Sequence, residues 1–302
     1  MSVATLPVPV QDRIVPAPRL RQAQVLAVAI EVALVAGFYQ WYSVARFWVG
    51  GSAATAQRNA MHVIGWERAL GIFNESTVQA AVLAHPALMR AAGTYYGTAH
   101  FIVPAVALVL LYRRDRTRYV VWRNALAWTS VLAIAAFALF PLMPPRLLPS
   151  AFHFTNVMAP GVDRPLVPAL YNGFAAMPSL HAAYAVWAAL ALWPVLRSRW
   201  TRALLVGHFV AITTVVIVTA NHFYLDLVGG LVVLALGVLI ARQRGCRRVV
   251  SPGAAAVLLV GAATLIWLPR AATLPLTLDI AAATGLAWLA LATRRSPVPT
   301  VQ

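Results

Sequence analysis

The sequence predicts an all-α fold, a polytopic membrane helix bundle of about eight transmembrane helices, on three observations. First, 61% of the 302 residues are hydrophobic and only 11% are charged, which is far too apolar for a soluble domain. Second, long apolar runs recur along the chain, most of them close to the ~20 residues that a bilayer core requires. Third, the basic residues fall in short clusters between these runs.

Composition also limits the function. The formal charge of +16 rests on arginine alone, because none of the 24 basic residues is a lysine. This positive charge is distributed among short loops between apolar runs, which is typical of a membrane protein, so no nucleic-acid partner is expected. The single cysteine, Cys246, excludes an internal disulfide, and a reactive-thiol role is not expected. No cofactor is predicted.

The membrane domain is expected over residues 24–292. A Pro-rich cytoplasmic tail at 1–23 precedes it, and a short cytoplasmic tail at 293–302 follows it. The first apolar run, about 24–42, is interpreted as an uncleaved membrane helix. A signal peptide is the competing interpretation, but the run is long and the small residues lie well beyond its end.

The pattern turns amphipathic over 55–86, where apolar residues alternate with charged ones such as Glu67 and Glu75. This is typical of a helix lying in the membrane interface. Further along, the apolar segment 141–178 contains too many prolines and glycines to cross the bilayer as one helix. The remaining spans are predicted at about 91–112, 124–140, 179–196, 203–220, 223–241, 253–268 and 274–292.

The distribution of arginine tests this topology, since cytoplasmic loops collect basic residues. With the N-terminus inside, 17 of the 24 arginines face the cytoplasm. The chain is therefore expected to be a multi-pass protein of the cell membrane with both termini in the cytoplasm. The 141–178 segment and the starts of the fourth and sixth spans then share the outer face. Any chemistry on those segments is therefore expected to be extracytoplasmic.

Two motifs at helix starts carry the candidate chemistry. Pro178-Ser179 precedes an apolar helix, with Ser179 as the expected N-cap and His181 among free backbone N–H groups that attract anions. The second motif, His222-Phe-Tyr-Leu-Asp226, has a four-residue spacing that places imidazole and carboxylate on one helical face. A histidine oriented by its own carboxylate is a usable nucleophile.

Both motifs share the predicted outer face with Pro144-Pro145-Arg146, at the end of the third span. An arginine, two histidines and a helix N-terminus would together make a phosphate site with an acid, a base and a nucleophile. The sequence therefore predicts phosphate chemistry where the three motifs converge.

These pieces resemble the ordered motifs of the type 2 phosphatidic acid phosphatase superfamily, and specifically its inositol phosphorylceramide synthase branch. The matching stretches are Pro-Pro-Arg ending at Arg146, Ala-Ala-Met-Pro-Ser-Leu-His ending at His181, and His-Phe-Tyr-Leu-Asp ending at Asp226. They lie within residues 140–230. The resemblance implies a metal-independent membrane enzyme with a six-helix core, to which this chain adds two C-terminal helices.

The resemblance also implies a role for each residue. His222 would attack phosphorus and form a phosphohistidine, and Asp226 would hold its other ring nitrogen. His181 would protonate the leaving oxygen and then act as base on the acceptor. Arg146 would bind the phosphoryl oxygens, helped by backbone N–H groups near Ser179. The implied substrate is a membrane lipid phosphate or phosphodiester, with water or a hydroxyl compound as acceptor.

The sequence departs from the phosphatase form of the family in two places. Leu139 stands where the phosphatases have a lysine, and Val215-Val216 stands where they have Ser-Arg. A phosphomonoester carries nearly two charges and a diester one, so a site with fewer cations favours head-group transfer, of the phosphoinositol type, over monoester hydrolysis. Arg164 could supply a missing phosphate-binding cation.

Other interpretations stay open on the residues alone. His181 could be a packing hydrogen bond, and the His222/Asp226 pair a proton relay or half of a metal site. Glu31 and Asp279 are predicted intramembrane acids, so a transporter with a polar path is the alternative class. No self-similarity between the two halves of the sequence supports transport. The other histidines lack an acidic partner at helical spacing and are not predicted in the site: His62, His85, His100, His153 and His208.

Overall fold

The computed structural model describes residues 17–157 and 172–243. Within these ranges the regular structure is helical, with no strand. In chain order the helices are α1 (Ala17–Trp48), α2 (Ala53–Ala69), α3 (Glu75–Leu83), α4 (Pro86–Arg114), α5 (Arg116–Leu139), α6 (Leu180–Leu192), α7 (Arg199–Val218) and α8 (Tyr224–Gln243). The last two predicted spans, the C-terminal tail, Arg164 and Asp279 lie outside the described residues.

Five helices in the described part of the chain are long and apolar enough to cross a membrane: Gln24–Trp48 within α1, and α4, α5, α7 and α8. They correspond to the first, second, third, fifth and sixth predicted spans. The prediction of an all-α membrane bundle is thus confirmed, while the count of eight stays a prediction. α1 begins at Ala17, inside the predicted 1–23 tail, because Pro18 suits a first helical turn and good helix formers follow it.

The fourth predicted span, 179–196, is wrong in length. α6 has 13 residues, which is about 20 Å of helix, whereas the apolar core of a bilayer is about 30 Å thick. The helix ends at Leu192, shortly before Pro194, because proline has no backbone N–H to donate to the carbonyl oxygen four residues earlier. Arg118 of α5 satisfies this end of α6 by donating from Nε to the carbonyl oxygen of Ala191 at 2.6 Å.

The amphipathic segment predicted over 55–86 forms two helices, α2 and α3, instead of one. Gly71 interrupts it with a φ of +70°, a left-handed conformation that glycine adopts without steric cost. Its N–H donates to the carbonyl oxygen of Arg68 at 3.0 Å and so closes α2. α3 then packs on α4 and α7. Neither α2 nor α3 is among the candidate membrane spans.

α6 lies at the centre of the bundle and contacts α4, α5, α7 and α8. Its Trp187 side chain is fully buried and donates from Nε1 to the carbonyl oxygen of Trp122 at 2.8 Å. α5 and α8 approach closely at a small residue, because a Cβ on Gly237 would lie 2.5 Å from Oγ1 of Thr129. This packing positions the first residues of α6 among the ends of its neighbours.

Glu31, predicted to be a functional intramembrane acid, is paired inside the bundle. Its Oε2 accepts from Nη1 of Arg123 and from the Tyr119 hydroxyl, the latter at 2.9 Å. Arg123 counts among the arginines predicted in cytoplasmic loops, but it lies within α5 and is only 2% exposed. Since a buried charge is stable only when paired and hydrogen-bonded, this pair favours a structural role in joining α1 to α5 over the transport alternative.

Candidate active site

The three predicted motifs meet at one end of the bundle, where α5 ends and α6 and α8 begin. The N–H of Ser179 donates to the carbonyl oxygen of Asp226 at 2.8 Å, which joins the start of α6 to the first turn of α8. The N–H of Arg146 donates to the carbonyl oxygen of Ala220 at 2.9 Å. This second bond joins the 3-10 helix Pro145–Leu147 to the turn between α7 and α8. Backbone bonds therefore hold all three motif segments together.

His222 contacts its carboxylate as predicted, although it lies just before α8 and not on the helix. Nδ1 of His222 is 3.2 Å from Oδ2 of Asp226. Asp226 is fully buried in the first turn of α8, and the same oxygen accepts the N–H of Phe223 at 3.0 Å. With its proton on Nδ1, facing this carboxylate, the His222 ring leaves the lone pair of Nε2 for nucleophilic attack.

The turn between α7 and α8 holds the backbone of His222. Ala220 has a φ of 53°, a left-handed conformation that costs a non-glycine residue about 1–2 kcal/mol. Beyond it, the N–H groups of Asn221 and His222 donate to the carbonyl oxygen of Val216, at 3.0 and 3.2 Å. The histidine backbone is therefore anchored to α7 before α8 begins.

His181 is the second residue of α6 and packs against two rings of α4. Its ring centroid lies 4.2 Å from that of Tyr96, in a stacked arrangement, and 4.3 Å from that of His100. The ring of His222 is 5.5 Å from it. The prediction excludes His100 because no acid lies at helical spacing from it. Its spacing from Tyr96, four residues along the same span, is the signal that could have indicated their common face.

Four polar atoms of the two histidine motifs are buried without a hydrogen-bond partner in the described part of the protein. They are Nε2 of His181, Nε2 of His222, Oγ of Ser179 and Oδ1 of Asp226. Buried polar groups are nearly always paired, so such a cluster indicates space for a polar ligand. Ser179 is the N-cap of α6 as predicted, but its hydroxyl makes no hydrogen bond that caps the helix.

Arg146 lies beside the segment that leads to His222. Its Nε donates to Oδ1 of Asn221 at 2.7 Å, and Nδ2 of Asn221 donates to Oγ1 of Thr219 at 2.8 Å. This chain of bonds therefore holds the guanidinium to Asn221, the residue that directly precedes His222. Arg164, the other predicted phosphate-binding arginine, lies outside the described residues.

Arg46 is a cation at this end that the predicted topology places in an outer loop. α1 continues beyond the predicted end of the first span at residue 42 and carries Arg46 in its last turn. The Arg46 carbonyl oxygen accepts from Nδ2 of Asn172 at 2.7 Å, and its charge acts electrostatically on His100 and His181. Positive potential at the site therefore does not depend on the Pro-Pro-Arg motif alone.

Two glutamates of the amphipathic segment also reach this end of the bundle. Glu67 and Glu75 are fully buried, although the amphipathic pattern predicts them on a polar face. Oε1 of Glu67 accepts the N–H of Leu225 at 2.8 Å, and Oε1 of Glu75 accepts the N–H of Tyr224 at 3.4 Å. Burial, together with the hydrogen bond and charge of Glu75, raises the pKa of Glu67 to about 9.

Over residues 17–157 and 172–243, no group of three or more His, Cys, Asp and Glu side chains could hold a metal ion. Metal independence remains a prediction from the family resemblance.

The fold and the site together define a class of protein, a membrane-spanning helix bundle with two imidazoles whose Nε2 atoms are buried, a carboxylate and arginines at one end. Residues 61–240 match the family model described as the PAP2 superfamily, and because they make up more than half of the chain, the protein belongs to that superfamily. Its members are generally phosphatases or phosphotransferases. No curated protein and no solved structure matches the chain. The superfamily predicted from the motifs is confirmed, and the inositol phosphorylceramide synthase branch stays a prediction.

Proposed function

We propose that the protein is a membrane lipid phosphatase or phosphotransferase that works through a phosphohistidine on His222. The observation that supports this most directly is the pair of ring nitrogens, Nε2 of His222 and Nε2 of His181, that are buried without a partner among the described residues. Their rings are 5.5 Å apart, close enough for one phosphoryl group to contact both. Asp226 already holds the opposite nitrogen of the nucleophile.

The reaction then proceeds in two displacements. In the first, the lone pair on Nε2 of His222 attacks phosphorus, the bond from phosphorus to the leaving oxygen breaks, and His181 gives that oxygen its proton. In the second, neutral His181 takes the proton of a water or hydroxyl acceptor, whose oxygen attacks phosphorus. The N–P bond breaks and its electron pair returns to His222. His181 thus acts as the acid in the first step and as the base in the second, because the proton moves in the opposite direction.

The phosphoryl oxygens would be held by three kinds of donor. Arg146 supplies a guanidinium beside His222, Ser179 supplies a buried hydroxyl, and the start of α6 supplies backbone N–H groups with a favourable dipole. Arg46 adds positive potential from the end of α1. Arg164 is kept as a further proposed phosphate contact.

The depth of the site favours a lipid substrate. The hydroxyl of Tyr184 in α6 meets Oγ of Ser130 in α5 at 2.7 Å, so these two residues mark a common level. With a rise of 1.5 Å per residue, His181 lies about 5 Å from that level toward the motif end, and Leu139 about 13 Å. The reacting groups are thus roughly 9 Å below the end of α5, a depth that suits a head group delivered by its own acyl chains.

Of the two candidate activities, transfer and hydrolysis, we slightly prefer transfer of a head group from a phosphodiester, of the phosphoinositol type found in the inositol phosphorylceramide synthase branch. Neither Leu139 nor Val216 contributes a cation where the phosphatases have one, and a diester needs less positive charge than a monoester. Hydrolysis of a lipid phosphate monoester is the second candidate. Arg46 is the observation that favours it, because a second arginine can balance the second charge of a monoester.

We also propose that the site opens to the extracytoplasmic side of the cell membrane. All three motifs lie at the end of the bundle opposite the arginine-rich connections at 113–118 and 197–202. Since such connections are retained in the cytoplasm, the opposite end is expected outside.

The test uses purified full-length protein in lipid nanodiscs with radiolabelled phosphatidylinositol or phosphatidic acid, with and without a long-chain hydroxyl acceptor such as ceramide. The wild type is expected to retain label that is stable to alkali and lost in acid, as an N–P bond requires. Labelled acceptor lipid would support transfer, and free phosphate alone would support the monoesterase and refute the transferase.

The matched variants are His222→Ala and His62→Ala, the second removing an exposed histidine of α2 outside the site. His222→Ala is expected to lose both label and turnover, whereas His62→Ala keeps both. Label that persists on His222→Ala, or a wild type inactive on every lipid phosphate, would contradict the proposed function.

A further inference from the structure

At the start of α8, next to the proposed nucleophile, three successive backbone N–H groups donate to the carboxyl groups of three acidic side chains. The first N–H groups of a helix have no partner within the helix and need one from elsewhere. Asp226 accepts from Phe223 within its own segment, whereas Glu75 of α3 and Glu67 of α2 accept from the next two N–H groups. Two of the three acceptors thus come from the segment predicted only to lie on the membrane.

The two glutamates also contact each other. Their remaining oxygens, Oε2 of Glu67 and Oε2 of Glu75, are both buried with no hydrogen-bond partner in the described structure. Because the two Oε1 atoms accept from consecutive N–H groups, the two carboxyls lie side by side, and Glu75 is among the groups that raise the pKa of Glu67. Because ionised carboxylates only accept, a bond between two carboxyls requires one proton. Fully ionised, the pair would also place two more negative charges near Asp226 in a buried site.

We infer that Glu67 and Glu75 are positioning residues that share one proton and so hold the His222–Asp226 segment in its reactive geometry. This inference rests on the proposed function and adds to it a pair outside the recognised motifs. The shared proton keeps both Oε1 atoms pointed at consecutive N–H groups of α8. Loss of the proton would separate the carboxylates and release the helix start.

α2 contacts the arginine segment as well as α8. Nδ2 of Asn59 donates to the carbonyl oxygen of Pro141 at 2.8 Å, and the N–H of Met143 donates to the carbonyl oxygen of Ala56 at 3.2 Å. One helix therefore fixes the chain that leads to Arg146 and also the start of the helix behind His222. Displacement of Glu67 would alter the distance between the phosphate-binding arginine and the nucleophile.

The pH range of this arrangement follows from the groups around Glu67. Glu75 from α3 and Asp226 from α8 face it with like charge, and Tyr224 of α8 lies near both glutamates. The pKa of Glu67 is raised to about 9, so the shared proton is present through neutral pH. It is lost as the pH rises through that value, and positioning is lost with it.

Glutamine distinguishes a shared proton from a merely buried acid. In Glu67→Gln the amide oxygen can still accept from Leu225, and the amide NH₂, in the place of Oε2, can donate to Glu75 without titrating. In Glu75→Gln the roles are exchanged: the amide oxygen can still accept from Tyr224, and the NH₂ can donate to Glu67. In the double glutamine variant two NH₂ groups face each other and neither can accept, so the contact is lost.

The experiment measures lipid phosphate turnover from pH 6 to 10 for the wild type, each single glutamine variant, the double variant and Glu67→Ala, in nanodiscs. We expect each single variant to keep kcat within about 3-fold at pH 7, and the double variant and Glu67→Ala to lose about 100-fold, as a displacement near 1 Å would cause. Wild-type activity should fall as the pH passes about 9, and Glu67→Gln should lack this fall.

Three controls keep the outcome decisive. A melting temperature within a few degrees of wild type shows that a slow variant is folded. Turnover by the wild type and phosphoryl labelling of His222 test the proposed function separately. Both can be observed even if the inference about the glutamate pair fails. An alkaline fall shared by wild type and Glu67→Gln, or a double variant as active as wild type, would overturn the shared proton.

Discussion

Gly230 of α8 sets how closely the two histidine-bearing segments approach. A Cβ at this position would overlap the backbone oxygen of Ser179, at 3.1 Å from its carbonyl carbon and 3.5 Å from the N of Ala183. Backbone atoms at the start of α6 cannot rotate away as the end of a flexible side chain can. Gly230→Ala must therefore separate α6, which carries His181, from α8, which begins just after His222.

The size of the effect follows from that overlap. Restoring an ordinary carbon–oxygen contact needs a separation of about 1 Å, which also weakens the bond from Ser179 N–H to the Asp226 carbonyl oxygen. A misplacement of about 1 Å between reacting groups costs on the order of 100-fold in turnover. Overpacking of this kind lowers the free energy of unfolding by about 1–3 kcal/mol. We expect Gly230→Ala to show both losses.

The control is Gly207→Ala in α7, where an added Cβ meets no heavy atom within 4 Å. It should keep turnover and gain up to about 1 kcal/mol, because alanine is the better helix former. Turnover is measured on labelled lipid in nanodiscs and stability by thermal denaturation in detergent. If Gly230→Ala matched the wild type in both, the close approach of α6 and α8 would not set the distance between the histidines.

Two further predictions concern buried carboxylates. Asp226→Asn should lower turnover by about 10²–10⁴-fold with little change in melting temperature, because the amide no longer holds the proton on Nδ1 of His222; unchanged turnover would contradict its role. Arg123→Leu leaves Glu31, whose side chain is only 13% exposed, without its charge partner and should lower stability by about 3 kcal/mol, and adding Glu31→Gln should restore much of this. Equal losses in the single and double variants, by thermal denaturation, would show that the two residues are not coupled.

Much of the fold can be predicted from the sequence because membrane insertion depends on local properties. The length and hydrophobicity of each run, and the arginines at its ends, are readable without knowledge of neighbours. Five of the predicted spans in the described chain are helices of sufficient length. The error at α6 has a different origin, since a short helix surrounded by others can be apolar without having to span the bilayer alone.

The site divides in the same way. His181, His222 and Asp226 are predictable because a helix start and a four-residue spacing are short-range features, and the structure brings these three together with Arg146. His100 and Arg46 are missed, because their relevance comes from the packing of α4 on α6 and from the contact between the end of α1 and Asn172, in the chain that leads to α6. No spacing within either helix indicates a ring 4.3 Å from His181.

By itself, the sequence determined the class of fold, the superfamily, and the histidine–carboxylate element, all of which depend on residues near one another in the chain. Only the tertiary structure decided which polar side chains turn inward. Amphipathic spacing defines a polar face for Glu67 and Glu75, but not what that face meets. The unpaired N–H groups at the start of α8, about 150 residues away, make burial of both carboxyls favourable where solvent exposure is expected.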